Sequence, residues 1–408
     1  MSGGSLFRIA GAALLVSAMS CSKQSAGPTS LATVDARPVQ AGLRLDVSPS
    51  SIGWQERARA LVAANGLSPL AAGRVYAALS IAQYRAVTRT TAVDDDGQLS
   101  ESGLGTGGRS ALEAQRGAVA GASASVLTFF FPASAGSLEQ RVSEQGGATP
   151  GAVHPQFARG LAIGRAAGDA VVAACQGDRF TTPWTGTVPT GPGMWIANGT
   201  PAGATFGGVK PWLLTSGDQF RPPPPPAWQS QAFLADLAEI RNLSDNRTAV
   251  QLEMAVFWNF PTGTFTPPGY FNVAAVDYIR AYGLDERAAT RALALMHAAM
   301  MDALIGCWDA KYHYWTIRPY QVDAAITRPI GSPNHPSYPS GHSCQSAAAA
   351  TVLTALFPER AAELDGWLTD AGVSRLYAGI HYRFDITAGN VLGRSVALWA
   401  LAHADRLD

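Results

Sequence analysis

No regular helix can cross residues 222–226 of this 408-residue chain, because all five are proline. Proline lacks the backbone N–H that a helix uses and clashes with the preceding turn. These prolines close a longer stretch, 177–226, dominated by Gly, Pro and Thr with Trp184, Trp195 and Trp212 interspersed. Such a texture reads as loop, and loops this long are functional or disordered more often than idle. The tryptophans favour a packed wall or lid; a plain connection between two bundles is the alternative. The chain is thereby divided into residues 51–226 and 227–408.

On both sides of the break the apolar pattern is helical. Leu70–Val93 carries Val75, Leu79, Ala82 and Ala86 at three-to-four spacing, the stripe of an amphipathic helix. Asp94–Gly108 is a polar, glycine-rich loop. Ser110–Phe131 is a second helix, and Gln156–Cys175 a third with Phe157, Leu161, Ala166 and Ala170 on one side. Helical texture returns at Trp228–Ser244, Thr248–Phe260, Tyr270–Gly283, Asp285–Trp308, Ser343–Leu356 and a final segment to about His403. Strand alternation is convincing nowhere. With 47% hydrophobic and 15% charged residues, the composition suits packed helices better than disorder. The expected fold is all-α, two packed helical bundles with the functional site in the C-terminal one.

Arg8, the apolar run Ile9–Met19 and Ser20-Cys21 read as a signal peptide over residues 1–21. A cysteine at that point is also what a bacterial lipoprotein signal presents, so Cys21 is a candidate lipid anchor followed by a flexible tether, residues 22–50. The expected location is the periplasm or the outer membrane. The longer apolar runs elsewhere are broken by Arg, Glu, Asp or Gln, so no other membrane span is expected. Thirty basic and 30 acidic residues give no electrostatic footprint for nucleic acid. Cys175, Cys307 and Cys344 then remain, an odd number that allows one disulfide at most; Cys307 and Cys344 either pair or stay as buried thiols.

The chemistry is concentrated in the last hundred residues. Lys311 and Arg318 precede His335-Pro336-Ser337-Tyr338-Pro339-Ser340-Gly341-His342, and Ser374-Arg375, Gly379, His381 and Asp385 follow. Lys and Arg supply donors and fixed positive charge but no acceptor, so several together describe a site for a multiply charged oxyanion. Gly341 lets a backbone N–H approach closely, and a helix starting at Ser343 would aim its N-terminus at that anion. Histidine can move a proton, attack, or ligate. His381 and Asp385 are four apart, so on a helix the carboxylate reaches the imidazole. His297, in an apolar stretch, reads as a core histidine; His154, His313 and His403 gain no role. Cys/His pairs at zinc spacing are absent.

Lys-x6-Arg-Pro, Pro-Ser-Gly-His and Ser-Arg-x5-His-x3-Asp, spanning residues 311–385, together resemble the signature of type-2 phosphatidic acid phosphatases, bacterial non-specific acid phosphatases and vanadium haloperoxidases. The resemblance implies that Lys311, Arg318 and Arg375, with Ser340 and the Gly341 N–H, bind oxyanion oxygens. His381 would attack phosphorus, or be the single protein ligand of vanadate, with Asp385 fixing its tautomer. His342 would be the acid–base partner. The segment from Trp258 to Gly269, Trp308 and His335 resemble the haloperoxidase branch, in which Trp308 and His335 would line a halide pocket. The expectation is an exported enzyme that binds vanadate and oxidises bromide or iodide with hydrogen peroxide, Lys311 polarising the peroxide. A phosphomonoesterase working through a phosphohistidine, with no cofactor, is the alternative, since phosphate and vanadate share shape and charge. A surface-tethered anion-binding module with a degenerate site is a third reading, disfavoured by the complete signature.

Overall fold

The computed structural model describes residues 49–91, 107–147 and 153–408. The signal peptide, Cys21, the tether up to residue 48 and most of the 94–108 loop lie outside the described residues; Ser50, expected in the tether, already opens the first helix.

The first group of helices is α1 (Ser50–Ala64), α2 (Pro69–Thr91), α3 (Gly107–Phe130), α4 (Ala135–Gly146) and α5 (Pro155–Gln176). The second is α6 (Gln231–Asp245), α7 (Ala249–Phe257), α8 (Thr266–Tyr282), α9 (Glu286–Tyr314), α10 (Pro319–Val322), α11 (Gly341–Leu356), α12 (Ala361–Tyr377) and α13 (Arg383–Ala402). Among the described residues the only β pairings are two isolated bridges. The fold is all-α, as expected.

Helix α2 is buried almost all round from Ala72 to Tyr84 and packs on α3 and α5 on one side and α9 on the other. Helix α9 is the matching centre of the second group, against α11 and α13. It is long and apolar enough to cross a membrane, but 89% of its most apolar window is buried in this protein. As expected, a charged residue interrupts the run: Asp302, buried in α9, sits in it as a partner for the loop described next.

Residues 177–226 form a wall rather than a helix. Asp302 fixes it by accepting the backbone N–H groups of Trp212, Leu213 and Leu214 at 2.8, 2.7 and 2.9 Å. Trp195 is buried and donates its backbone N–H to the Trp315 carbonyl at 2.7 Å.

Helix α5 departs from its expected face. Phe157 is buried and Leu161 packs against the core as expected, but Ala166 and Ala170 are exposed, and the buried stripe continues through Gly160, Gly164, Ala167, Gly168, Val171 and Cys175. The reason is close approach to α3: a Cβ on Gly164 would lie 2.0 Å from the Ala118 carbonyl oxygen. Backbone contact, not side-chain bulk, sets this interface. Cys175, Cys307 and Cys344 are buried free thiols.

Candidate active site

Lys311 lies on the last turn of α9, not beyond its end as the sequence suggested, and is fully buried. Its ammonium donates to the carbonyls of Pro336 at 3.0 Å and Ser337 at 2.7 Å, and to that of Pro339. Three donors meet three acceptors. Burial brings its pKa down to about 8.

Arg318 caps the short α10 and is also fully buried. Its guanidinium reaches the Ile380 carbonyl at 2.6 Å, His381 Nε2 at 3.1 Å and His335 Nδ1 at 3.0 Å. Arg375 comes from α12, where Nε meets Ser374 Oγ at 2.9 Å and one terminal nitrogen meets the Ala255 carbonyl at 2.8 Å. Burial lowers its pKa to about 9. Three buried cations thus share the region with one buried carboxylate, Asp385, on which Lys311 and Arg318 act directly. Burying unbalanced charge is costly, so the arrangement suits an anion carrying about two negative charges.

His381 does not stand on a helix with Asp385, because α13 begins at Arg383. Instead Asp385 reaches back over the helix start. Its Oδ2 accepts from the Tyr382 N–H at 3.0 Å and Ser337 Oγ at 2.6 Å, and lies 2.7 Å from His381 Nδ1. A guanidinium only donates, so the contact with Arg318 assigns a lone pair to Nε2 of His381 and the proton to Nδ1. That is the tautomer a nucleophile or ligand needs. Burial, then Arg318 and Lys311, holds the His381 pKa well below its ordinary value. Burial raises Asp385 to about 6, against the pull of Ser337 and Lys311.

His342 is in the first turn of α11, which starts at Gly341 with Ser340 as its N-cap. Its Nε2 lies 2.8 Å from the Trp258 carbonyl, so Nε2 carries the proton and Nδ1 is the free lone pair. Burial and Arg375 lower its pKa to about 3. A Cβ on Gly341 would meet the Trp308 ring at 3.0 Å. Trp308 in turn packs on His335, ring centroids 5.0 Å apart, and donates to the Ala202 carbonyl at 3.3 Å.

A cavity of about 230 Å³ opens onto His335, Gly341, His342, Arg375, His381 and Trp308. The wall 177–226 contributes Ala202 and Gly203. The structure therefore brings Lys311, Arg318, Ser340, Gly341, His342, Arg375, His381, Asp385, Trp308 and His335 into one region. Lys311 and Arg318 stand one layer back, with their donors on carbonyls and imidazoles rather than on the cavity. His297 is elsewhere, buried against Asn272 at 2.8 Å. Sequence reasoning missed Ser337, which orients Asp385, although it lay inside the 335–342 motif. It also missed the Trp258 carbonyl, since a backbone acceptor leaves no mark in residue identity.

Among the described residues no group of three His, Cys, Asp or Glu side chains is arranged to hold a metal ion. The donor set fits a tetrahedral oxyanion such as vanadate or phosphate: cationic N–H groups, the N-terminus of α11 and one imidazole lone pair.

Residues 291–407 match the model of the PAP2 superfamily. The chain is 38% identical to a non-specific acid phosphatase of Salmonella typhi over 24% of this chain and 41% of that protein. It is 33% identical to a vanadium-dependent bromoperoxidase of Ascophyllum nodosum over 17% of this chain and 18% of that protein. The matches thus span less than half the length of these relatives. Among solved structures, a bacterial vanadium-dependent iodoperoxidase superposes with a TM-score of 0.72 at 23% identity, covering 88% of this chain and 97% of that one. A bacterial vanadium-dependent chloroperoxidase superposes with a TM-score of 0.65 at 15% identity, covering 84% and 93%. In an all-α fold that it shares with vanadium-dependent haloperoxidases, this chain carries a PAP2 superfamily domain over residues 291–407.

Proposed function

We propose that the protein is a vanadium-dependent haloperoxidase that oxidises bromide or iodide with hydrogen peroxide. The observation that carries this reading is His342. Its ring is neutral, with Nε2–H spent on the Trp258 carbonyl and its pKa lowered to about 3, so Nδ1 holds no proton to give. A phosphatase needs an acid at that place to protonate its leaving group, and this imidazole does not supply one. Further support is that the iodoperoxidase superposes over 88% of the chain and 97% of its own length, so the likeness includes helices outside residues 291–407.

Vanadate, when bound, would supply a Lewis acid that activates peroxide without proton transfer of its own. His381 Nε2 would ligate it, its lone pair fixed by Asp385 through Nδ1–H. Arg375 would meet its oxygens directly; Lys311 and Arg318 would do so by exchanging carbonyl or imidazole partners, and otherwise act as fixed positive charge. Trp308 and His335 would line the halide's place. We also propose export, with Cys21 lipidated; absence of labelled fatty acid on the wild type would contradict the lipid, with Cys21→Ala as the control.

A paired assay separates this from the phosphomonoesterase reading, which the acid phosphatase likeness keeps in play. One arm supplies orthovanadate, peroxide and bromide and follows bromination of a dye; the other omits vanadate and follows hydrolysis of an aryl phosphate. Vanadate-dependent bromination lost in His381→Ala is the expected result. Fast phosphate release without bromination would overturn the proposal.

A further inference from the structure

Three consecutive residues at the head of the proline run, Arg221, Pro222 and Pro223, are each tied to a segment that carries the oxyanion site. Arg221 holds Asp309 through two hydrogen bonds of 2.6 and 3.0 Å. The Pro222 carbonyl accepts from the Tyr314 hydroxyl at 2.7 Å, and the Pro223 carbonyl from that of Tyr338 at 2.6 Å. Asp309 and Tyr314 stand on either side of Lys311 in the last turns of α9. Tyr338 stands among Pro336, Ser337 and Pro339, whose carbonyls take the Lys311 ammonium. The strap thus grips both halves of one contact, the helix that brings the lysine and the loop that brings its acceptors. Ser337, which orients Asp385, lies in the same loop. Proline suits such a strap, because its φ is fixed and it has no N–H to bond elsewhere.

We infer that residues 221–223 splint the oxyanion site, with Tyr314 and Tyr338 as its positioning residues. Neither tyrosine lines the cavity; both act through Lys311 and Ser337. A buried lysine is useful as fixed charge only while its three acceptors stay in place, and rigid support behind a site is what keeps such a geometry. The effect on vanadate rests on the proposed oxyanion site; the effect on the 336–340 loop does not.

The test combines Tyr314→Phe with Tyr338→Phe in the full chain. The pair of substitutions keeps both rings, which pack edge to face at 5.5 Å, and removes only the hydroxyls. Tyr278→Phe, which loses a hydroxyl bonded to Glu363 at 2.9 Å from α8, is the control for general loss of stability. Amide exchange is read at Ser337 and Ser340, whose N–H groups bond the Thr316 and Asp385 carbonyls at 2.9 Å, and vanadate affinity by equilibrium dialysis. Exchange is expected to be about tenfold faster in the double variant, the scale of lost hydrogen bonds. Vanadate binding is expected to be about tenfold weaker, as when a partner behind a ligand is removed. Tyr278→Phe changes neither, whatever it does to the melting temperature. Each single substitution moves both quantities in the same direction by less, which keeps the test open should the double variant not fold. Exchange at Ser337 and Ser340 no faster than in Tyr278→Phe would overturn the splint, as would unchanged affinity in a chain whose wild type binds vanadate. Faster exchange in a chain whose wild type binds no vanadate would keep the splint and sink the oxyanion reading instead.

Discussion

Asp385 does three things with one oxygen: it takes the Ser337 hydroxyl, caps the first turn of α13 through the Tyr382 N–H, and orients His381. Asp385→Asn keeps the shape but offers the amide in place of a carboxylate, which removes the negative partner of the Nδ1 proton. Replacing the group that orients a ligating histidine typically costs about 10–100-fold in affinity or activity. Vanadate affinity and bromination are therefore expected to fall by about that factor in Asp385→Asn, with Ser337→Ala producing a smaller loss; an unchanged rate in Asp385→Asn would contradict the assigned tautomer. At this scale the sequence was most legible, because the motif residues are side chains with one dominant chemistry each. The geometry joining them was less so. His381 and Asp385 looked like neighbours on a helix and are in fact joined across a helix start.

At the scale of elements, the wall 177–226 depends on a buried carboxylate at its root. Asp302 accepts three consecutive backbone N–H groups, and an asparagine has one oxygen for them and an NH2 that cannot accept. Leaving a buried donor unpaired costs about 1–3 kcal/mol. Asp302→Asn is expected to lower stability by about that amount and to speed amide exchange at Leu213 and Leu214; unchanged exchange there would show that the wall holds without it. The helices and the five-proline break were readable from periodicity and turn chemistry. The face of α5 was not, since the stripe Gly160, Gly164, Gly168 carries no hydrophobic signal and works by letting backbones touch. Helices α4 and α12 were overlooked because their buried stripes carry few large apolar residues: Leu138 and Val142 in α4, and Leu364 and Leu368 followed by Ala371, Gly372 and Arg375 in α12.

At the scale of the whole molecule, the fold buries neutral histidines in two places. His297 is held to about 3 by burial, stacked on Tyr76, and His381 lies well below its ordinary value, as do the half-buried His335 and His342. Unfolded histidines titrate near 6.5. Between that value and the folded ones the unfolded chain binds more protons, so their contribution is present above about pH 6.5 and is lost as pH falls. Asp302 and Asp385, raised to about 6, act in the opposite sense, since the native state protonates there first. Asp236, Asp277, Glu286 and Asp370, also raised by burial, add to that opposing sense, but the four histidines, moved furthest from their ordinary value, leave a net acid sensitivity. The melting temperature is expected to fall steadily from pH 7 to pH 4.5, less steeply in His297→Gln; a flat profile would contradict neutral burial. The all-α architecture was anticipated from composition and period, while the packing of α2 on α9 was not, because both helices are buried nearly all round and no single stripe marks the contact. The oxyanion proposed for this arrangement is tested most directly by equilibrium dialysis against orthovanadate. The account predicts one vanadate per chain, displaced by phosphate and lost in His381→Ala; no binding, or binding that survives in His381→Ala, would contradict it.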